Sequence, residues 1–152
     1  MKLIITLVSA VLFIAASCNR QTSSDSTIQP LSATNATGTY KLVAPASNYE
    51  VTLVLTPDSA TSEGKTRIAY QVGGRSSVNQ YFGAIIGTTG SDQVQVSAIG
   101  STKMAGSPEA MQFEFTYFKQ LQAVKRYELT GNQLRLFAEG ETPGVLVYEK
   151  EK

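Results

Sequence analysis

Histidine and tryptophan are absent from this 152-residue chain, and there is only one cysteine. Without histidine there is no Ser-His-Asp triad, no Cys-His pair and no histidine general base. Zinc and copper sites built on His and Cys are excluded as well. A lone cysteine leaves no internal disulfide. An excess of either charge is also lacking: 13 basic residues stand against 12 acidic ones. No basic run of the kind that binds nucleic acid or anionic lipid occurs. The carboxylates are scattered, with no aspartate-rich calcium loop. Glu139 and Glu141 flank Gly140 and read as a solvated turn. Paired-acid glycosidase chemistry needs two carboxyls facing each other in a cleft. The composition therefore predicts a non-enzymatic protein with no cofactor, no metal and no nucleic-acid partner.

Long apolar runs are missing too, except at the N-terminus, where residues 1–18 read MKLIITLVSAVLFIAASC. Lys2 starts the segment, Leu3 to Ile14 are mostly apolar, and Ala15, Ala16 and Ser17 are small. This is the plan of a secretory signal peptide. Cys18 directly behind it makes the segment resemble a bacterial lipoprotein signal. In that class the thiol receives a diacylglycerol, and cleavage leaves an acylated N-terminal cysteine. A membrane-spanning helix is the poorer reading, because the run is about a dozen residues where roughly 20 are needed. A soluble secreted chain with an idle cysteine is the other alternative. Each buried acyl CH₂ contributes roughly 0.8 kcal/mol, and more than one chain makes anchoring stable. The expected location is the bacterial cell envelope, held by lipid, with the outer membrane favoured over the inner. Residues 1–17 are then the signal peptide, leaving one domain plus a tether.

Residues 18–37 comprise that cysteine and a stretch dominated by Ser, Thr, Asn and Gln. Such a composition offers little apolar area to offset ordering entropy, which predicts a flexible leash. All 7 tyrosines follow it, beginning at Tyr40, so the domain is placed at 38–152. Within it several segments alternate with the strand period of two: Tyr40 with Leu42, Val51 with Leu53 and Leu55, Ile68 with Tyr70 and Val72, and Val94 with Val96. Asn79 to Ile86 and Val145 to Tyr148 read as further strands. Gly131-Asn132 suits a two-residue hairpin turn. Closure there pairs Thr130 with Gln133, Leu129 with Leu134, Glu128 with Arg135 and Tyr127 with Leu136.

One helix is predicted. Ser107 is a good N-cap, Pro108 suits the first helical position and Glu109 favours the positive helix end. Met111, Phe115 and Phe118 fall at the spacing of one buried face. Lys119, Lys125 and Arg126 are expected toward the other end. Phe113, Phe115 and Tyr117 also alternate like a strand, the rival reading. The sum is an α+β fold, an antiparallel, barrel-like curled sheet of about eight strands with one helix packed against it.

Four segments in order carry a family resemblance: Gly38-Thr39-Tyr40-Lys41-Leu42-Val43, Gly74 to Gly83, Thr102 to Glu109, and the Arg126–Leu136 hairpin. Together they resemble the META domain, the family that includes the heat-shock protein HslJ. The resemblance implies a small antiparallel barrel with a helix, an envelope location, and an association with stress, heat and novobiocin resistance. It implies no catalytic residues. Where the family commonly shows Gly-Cys-Asn-Arg, this chain has Ser77-Val78-Asn79-Gln80. Where it shows Met-Ala-Cys, this chain has Met104-Ala105-Gly106. If those cysteines pair in relatives, losing both is coherent, and any redox role of the pair is lost with them.

Arg75, Asn79 and Tyr81 lie in the most family-like stretch. They read either as a polar surface site or as a structural turn held by Asn79. Ser26 and Ser59, each after an aspartate, resemble O-glycosylation sites of Bacteroidetes-type bacteria. The expected partners are the membrane, through the N-terminal lipid, and an envelope protein met by a stress-related binding or stabilising module. The alternative is a small apolar ligand held inside the barrel, which a small barrel permits when side chains do not fill it.

Overall fold

A computed structural model describes residues 28–31, 35–58 and 67–152. Cys18, Ser26 and Ser59 lie outside the described residues. The chain runs β1 (Gly38–Ala44), β2 (Thr52–Pro57), β3 (Arg67–Ser76), β4 (Asn79–Thr88), β5 (Val94–Val96), β6 (Gly100–Ser101), α1 (Pro108–Gln122), β7 (Val124–Thr130), β8 (Gln133–Ala138) and β9 (Gly144–Lys150). Eight strands form one antiparallel sheet in the order β5-β4-β3-β2-β1-β9-β8-β7, and the short β6 pairs with β4 off that path. A bridge between Gln93 and Arg126, with the Tyr127 amide donating to the Asp92 carbonyl at 3.0 Å, nearly closes the sheet into a barrel.

Period-two alternation turns one face of each strand inward. Val51, Leu53, Leu55, Ile68, Tyr70, Val72, Val94 and Val96 are all buried, as the alternation predicts. The C-terminal hairpin has the predicted register at all four pairs. Gly131 supplies the turn at φ +57, a left-handed angle that costs a glycine little. On the outer face Arg126 donates to Glu128 at 2.7 Å and lies 3.7 Å over the Phe137 ring.

Strand directions define two mouths. The β3–β4 turn, the β1–β2 connection and the β8–β9 connection meet at the upper one. Helix α1 lies across it, burying Ala110, Glu114, Tyr117 and Leu121. Ser107 caps the helix by accepting from the Ala110 amide at 3.2 Å, with Pro108 in the first turn, as predicted.

Two features of the helix differ from expectation. Met111 and Phe115 are 40% and 56% exposed, and of the predicted stripe only Phe118 packs partly on the core. The buried stripe is rotated by about one residue, roughly 100°. Tyr117 and Leu121 on it are large enough to fill the mouth, whereas Met111 and Phe115 are not needed there. Lys125 and Arg126 belong to β7, because Val124, Tyr127 and Leu129 turn inward as strand residues.

The lower mouth lies between the start of β1, the β4–β5 turn and the Gly131-Asn132 turn. Leu31 and Ala36, from the stretch read as leash, are buried there at 6% and 0% exposure. The described part of that stretch thus packs on the domain. Polar composition did not signal this, because backbone groups and two tyrosine hydroxyls hold it in place.

Candidate functional site

Six buried tyrosines, Tyr40, Tyr70, Tyr81, Tyr117, Tyr127 and Tyr148, contribute to the barrel interior. On one side, strand and helix residues converge on three hydroxyls. Tyr81 donates to the Thr52 carbonyl at 2.8 Å, and its hydroxyl lies 2.7 Å from that of Tyr117. Tyr117 in turn lies 3.0 Å from Tyr148. Each phenol carries one proton. Tyr81 spends its proton on a carbonyl, so Tyr117 donates to Tyr81 and Tyr148 donates to Tyr117. Burial pushes all three hydroxyls above the ordinary tyrosine range. The ladder is a cohesive core that keeps its protons at neutral pH. Tyr81 also packs edge-on against Tyr117, with ring centroids 5.6 Å apart. Toward the lower mouth, burial and the neighbouring Tyr40 and Tyr127 push Tyr70 up to about 12.

A second polar cluster joins α1 to the β3–β4 turn. Asn79 is 1% exposed and Glu114 is 5% exposed. The Asn79 side-chain amide donates to Glu114 Oε1 at 2.7 Å, and its backbone amide donates to Oε2 at 3.0 Å. The Ser77 hydroxyl reaches the Ala110 carbonyl at 3.2 Å and Oε2 at 3.5 Å. Asn79 Oδ1 accepts from Thr102 Oγ1 and from the Met104 amide, both at 2.8 Å. One asparagine thus ties β4, the segment before the helix and the helix itself. Ser77 adopts φ +47, an angle at which glycine is less strained, and its hydroxyl contacts to the helix offset that strain.

Arg75, Asn79 and Tyr81 do not form a common surface. Arg75 is exposed, its backbone amide donating to Thr52 Oγ1 and its Nε to the Ser77 carbonyl. Asn79 and Tyr81 are buried. The arrangement matches a turn held by Asn79. Glu114, the partner of Asn79, was missed from sequence. The signal was present, since Ala110, Glu114, Tyr117 and Leu121 also keep helical spacing. Among the described residues no group of three His, Cys, Asp or Glu side chains gathers as a metal site. Glu139 and Glu141 are exposed, and Glu141 lies 4.0 Å from Lys119 at the surface.

The two positions where the resemblance places cysteines are neighbours. A Cβ built on Gly106 falls 3.5 Å from the Val78 Cβ and 2.5 Å from its Cγ2. The branched Val78 therefore occupies space that Gly106 leaves empty. Such Cβ separations suit a disulfide. The V78C/G106C double variant is expected to oxidise spontaneously and to gain about 3.5 kcal/mol from closing the intervening loop. Thiol titration with urea unfolding checks this, and an oxidised variant no more stable than the parent refutes it.

Large apolar side chains also stand outside the barrel. Phe82 is 64% exposed and Met104 is 59% exposed, and Met111 and Phe115 share the outer face of α1. A cleft of about 220 Å³ lies beside the helix, lined by residues that include Leu42, Pro45, Phe113, Thr116, Gln120 and Leu146.

The fold has a solved counterpart. An NMR structure of a protein from Burkholderia xenovorans is similar with a TM-score of 0.53 and 20% sequence identity, covering 76% of this chain and 82% of that one. No curated protein sequence matches the chain. The META domain family model matches residues 41–151, the barrel and its helix almost entire, and this chain belongs to the META domain family.

Proposed function

We propose that this protein is a lipid-anchored, non-enzymatic component of the bacterial envelope that binds or stabilises another envelope protein, in a stress-related role, through the outside of its barrel. The hydrogen-bonded tyrosines inside the barrel carry the reading. Tyr81, Tyr117 and Tyr148 use their hydroxyls on one another and on backbone, and α1 covers the upper mouth. Work is left to the outer surface, where Met111 and Phe115 stand on one helix face. Exposed apolar groups of this kind mark interaction sites when they are contiguous. The signal-like segment ending at Cys18 supports the anchor, and membership of the META family supports the general class.

The test has two arms. Cys18→Ala should move the protein from the membrane fraction to the soluble fraction, and retention in membranes refutes the lipid anchor. Met111→Ser with Phe115→Ser should leave thermal stability unchanged while abolishing cross-links to envelope proteins made by the parent. Undiminished cross-linking rules out the helix face as the binding surface.

A further inference from the structure

Sulfur is scarce in this chain. Of 3 methionines and 1 cysteine, only Met104 and Met111 fall among the described residues, and histidine and tryptophan are absent. Thiols and thioethers are the side chains that oxidants such as hypochlorous acid attack first, ahead of tyrosine. Six of the 7 tyrosines are buried. Both methionines stand outside, Met104 at 59% and Met111 at 40% exposure. Each is held there by its backbone. The Met104 amide donates to Asn79 Oδ1 at 2.8 Å, and its carbonyl accepts from Asn79 Nδ2 at 3.4 Å. The Met111 amide donates to the Ser107 carbonyl at 3.0 Å in the first turn of α1. None of these bonds uses sulfur, so chemistry at the sulfur leaves the Asn79–Glu114 cluster in place. Met111 also begins a row on the helix. Phe115 and Lys119 follow at intervals of four, the spacing that brings helical side chains together. Lys119 Nζ lies 5.1 Å from the centre of the exposed Phe115 ring.

We propose that Met104 and Met111 are reversible oxidation sites for hypochlorous acid and oxidants of its class, and that sulfoxide at Met111 turns off the outer face of α1 as a binding surface. The step is an oxygen transfer. An S–O bond forms at the thioether, the O–Cl bond of hypochlorous acid breaks, and chloride and a proton leave. Sulfur gives up an electron pair and chlorine receives it. The product is a polar, chiral side chain where a flexible apolar one stood. Inside a core that change disrupts packing. These two side chains project from the surface, so the barrel keeps its packing. The row on α1 loses its first apolar member. Burying a sulfoxide against a partner then needs a hydrogen bond that an apolar contact does not supply. The switch rests on the binding role proposed for α1, whereas the oxidation sites stand without it.

The full chain carrying Cys18→Ser, which leaves methionine as the only source of sulfur, serves as parent. It is treated with a small excess of hypochlorous acid, quenched with free methionine and mapped by mass spectrometry. Sulfoxide should form at Met104 and Met111 before any buried tyrosine is chlorinated, and the thermal midpoint should shift by less than about 2 °C. Chlorination of Tyr81, Tyr117 or Tyr148 ahead of the methionines overturns the sites. So does a fall of more than about 5 °C, because the sulfurs would then support the core. For the switch, the quenched protein is mixed with untreated envelope proteins and cross-linked. Cross-links made by the parent should fall about tenfold after oxidation. They should return after treatment with methionine sulfoxide reductases A and B, one for each epimer. Met111→Leu keeps an apolar group that cannot take up oxygen, and its cross-links should survive the same treatment although Met104 is oxidised. Equal losses in the parent and in Met111→Leu overturn the switch. An untreated parent that makes no cross-links refutes the binding role and the switch with it, while the mapped sulfoxides decide the oxidation sites independently.

Discussion

Gly74→Ala is expected to remove a large share of the protein's stability. A Cβ on Gly74 would lie 2.0 Å from the Thr52 carbonyl oxygen, 2.9 Å from its carbon and 3.0 Å from Cε1 of Tyr81. Backbone cannot swing aside as a flexible side chain does. The β2–β3 contact must separate there, and the same carbonyl is the acceptor of Tyr81, the end of the tyrosine ladder. Opening that contact unpicks the ladder. Overpacking with loss of a buried hydrogen bond costs about 4 kcal/mol or more, against a total stability of about 5–15 kcal/mol. Gly90 is the control. It has φ +80 and nothing within 4 Å of a built Cβ, so Gly90→Ala carries only the backbone cost of about 1–2 kcal/mol. Urea unfolding followed by tyrosine fluorescence separates the two. If Gly74→Ala costs no more than Gly90→Ala, the close approach of β2 and β3 is not a constraint on the fold.

Asn79→Ala is the second large effect. It removes the donor to Glu114 Oε1 and the acceptor for Thr102 and Met104 in one step. The Glu114 carboxyl remains buried with fewer donors, and each buried polar group left short of its hydrogen bond costs about 1–3 kcal/mol. Glu114→Gln keeps the shape but turns an amide nitrogen toward a donor of Asn79, for about 1.5–3 kcal/mol. Replacing both residues by leucine should cost less than the sum of the single losses, because neither side chain of the pair is then left facing a missing partner, although the Thr102 hydroxyl and the Met104 and Asn79 amides still lose their acceptors. A double-mutant cycle of unfolding free energies measures this coupling. An Asn79→Ala cost below about 1 kcal/mol would remove the cluster as the link between helix and barrel.

Much of this fold is local and was legible. Ser107, Pro108 and Glu109 mark the helix start through groups only a few residues apart, and that start is where α1 begins. The Gly131-Asn132 turn and the alternation around it dictate the hairpin register, since a slip by one residue would turn every side chain to the wrong face. What was not legible depended on choices between near-equivalent patterns. Met111, Phe115 and Phe118 are as well spaced as Ala110, Glu114, Tyr117 and Leu121, and more apolar. Glu114 on its own reads as a solvated face, and only Asn79 and Ser77 from another element make its burial tolerable. The two-residue β6 is too short to carry a periodic signal.

The chain alone determined what the protein can be made of: no histidine chemistry, one cysteine behind a signal-like segment, alternating strands, a capped helix, and motifs of the META domain in order. These follow from composition and from interactions between near neighbours. Only the tertiary structure decided which helix face turns inward and that three tyrosine hydroxyls meet inside the barrel. It also decided that Val78 fills the space above Gly106 and that a polar leader docks at the lower mouth. Each of those outcomes joins residues tens of positions apart, where close packing and the pairing of buried polar groups select among alternatives that look alike along the chain.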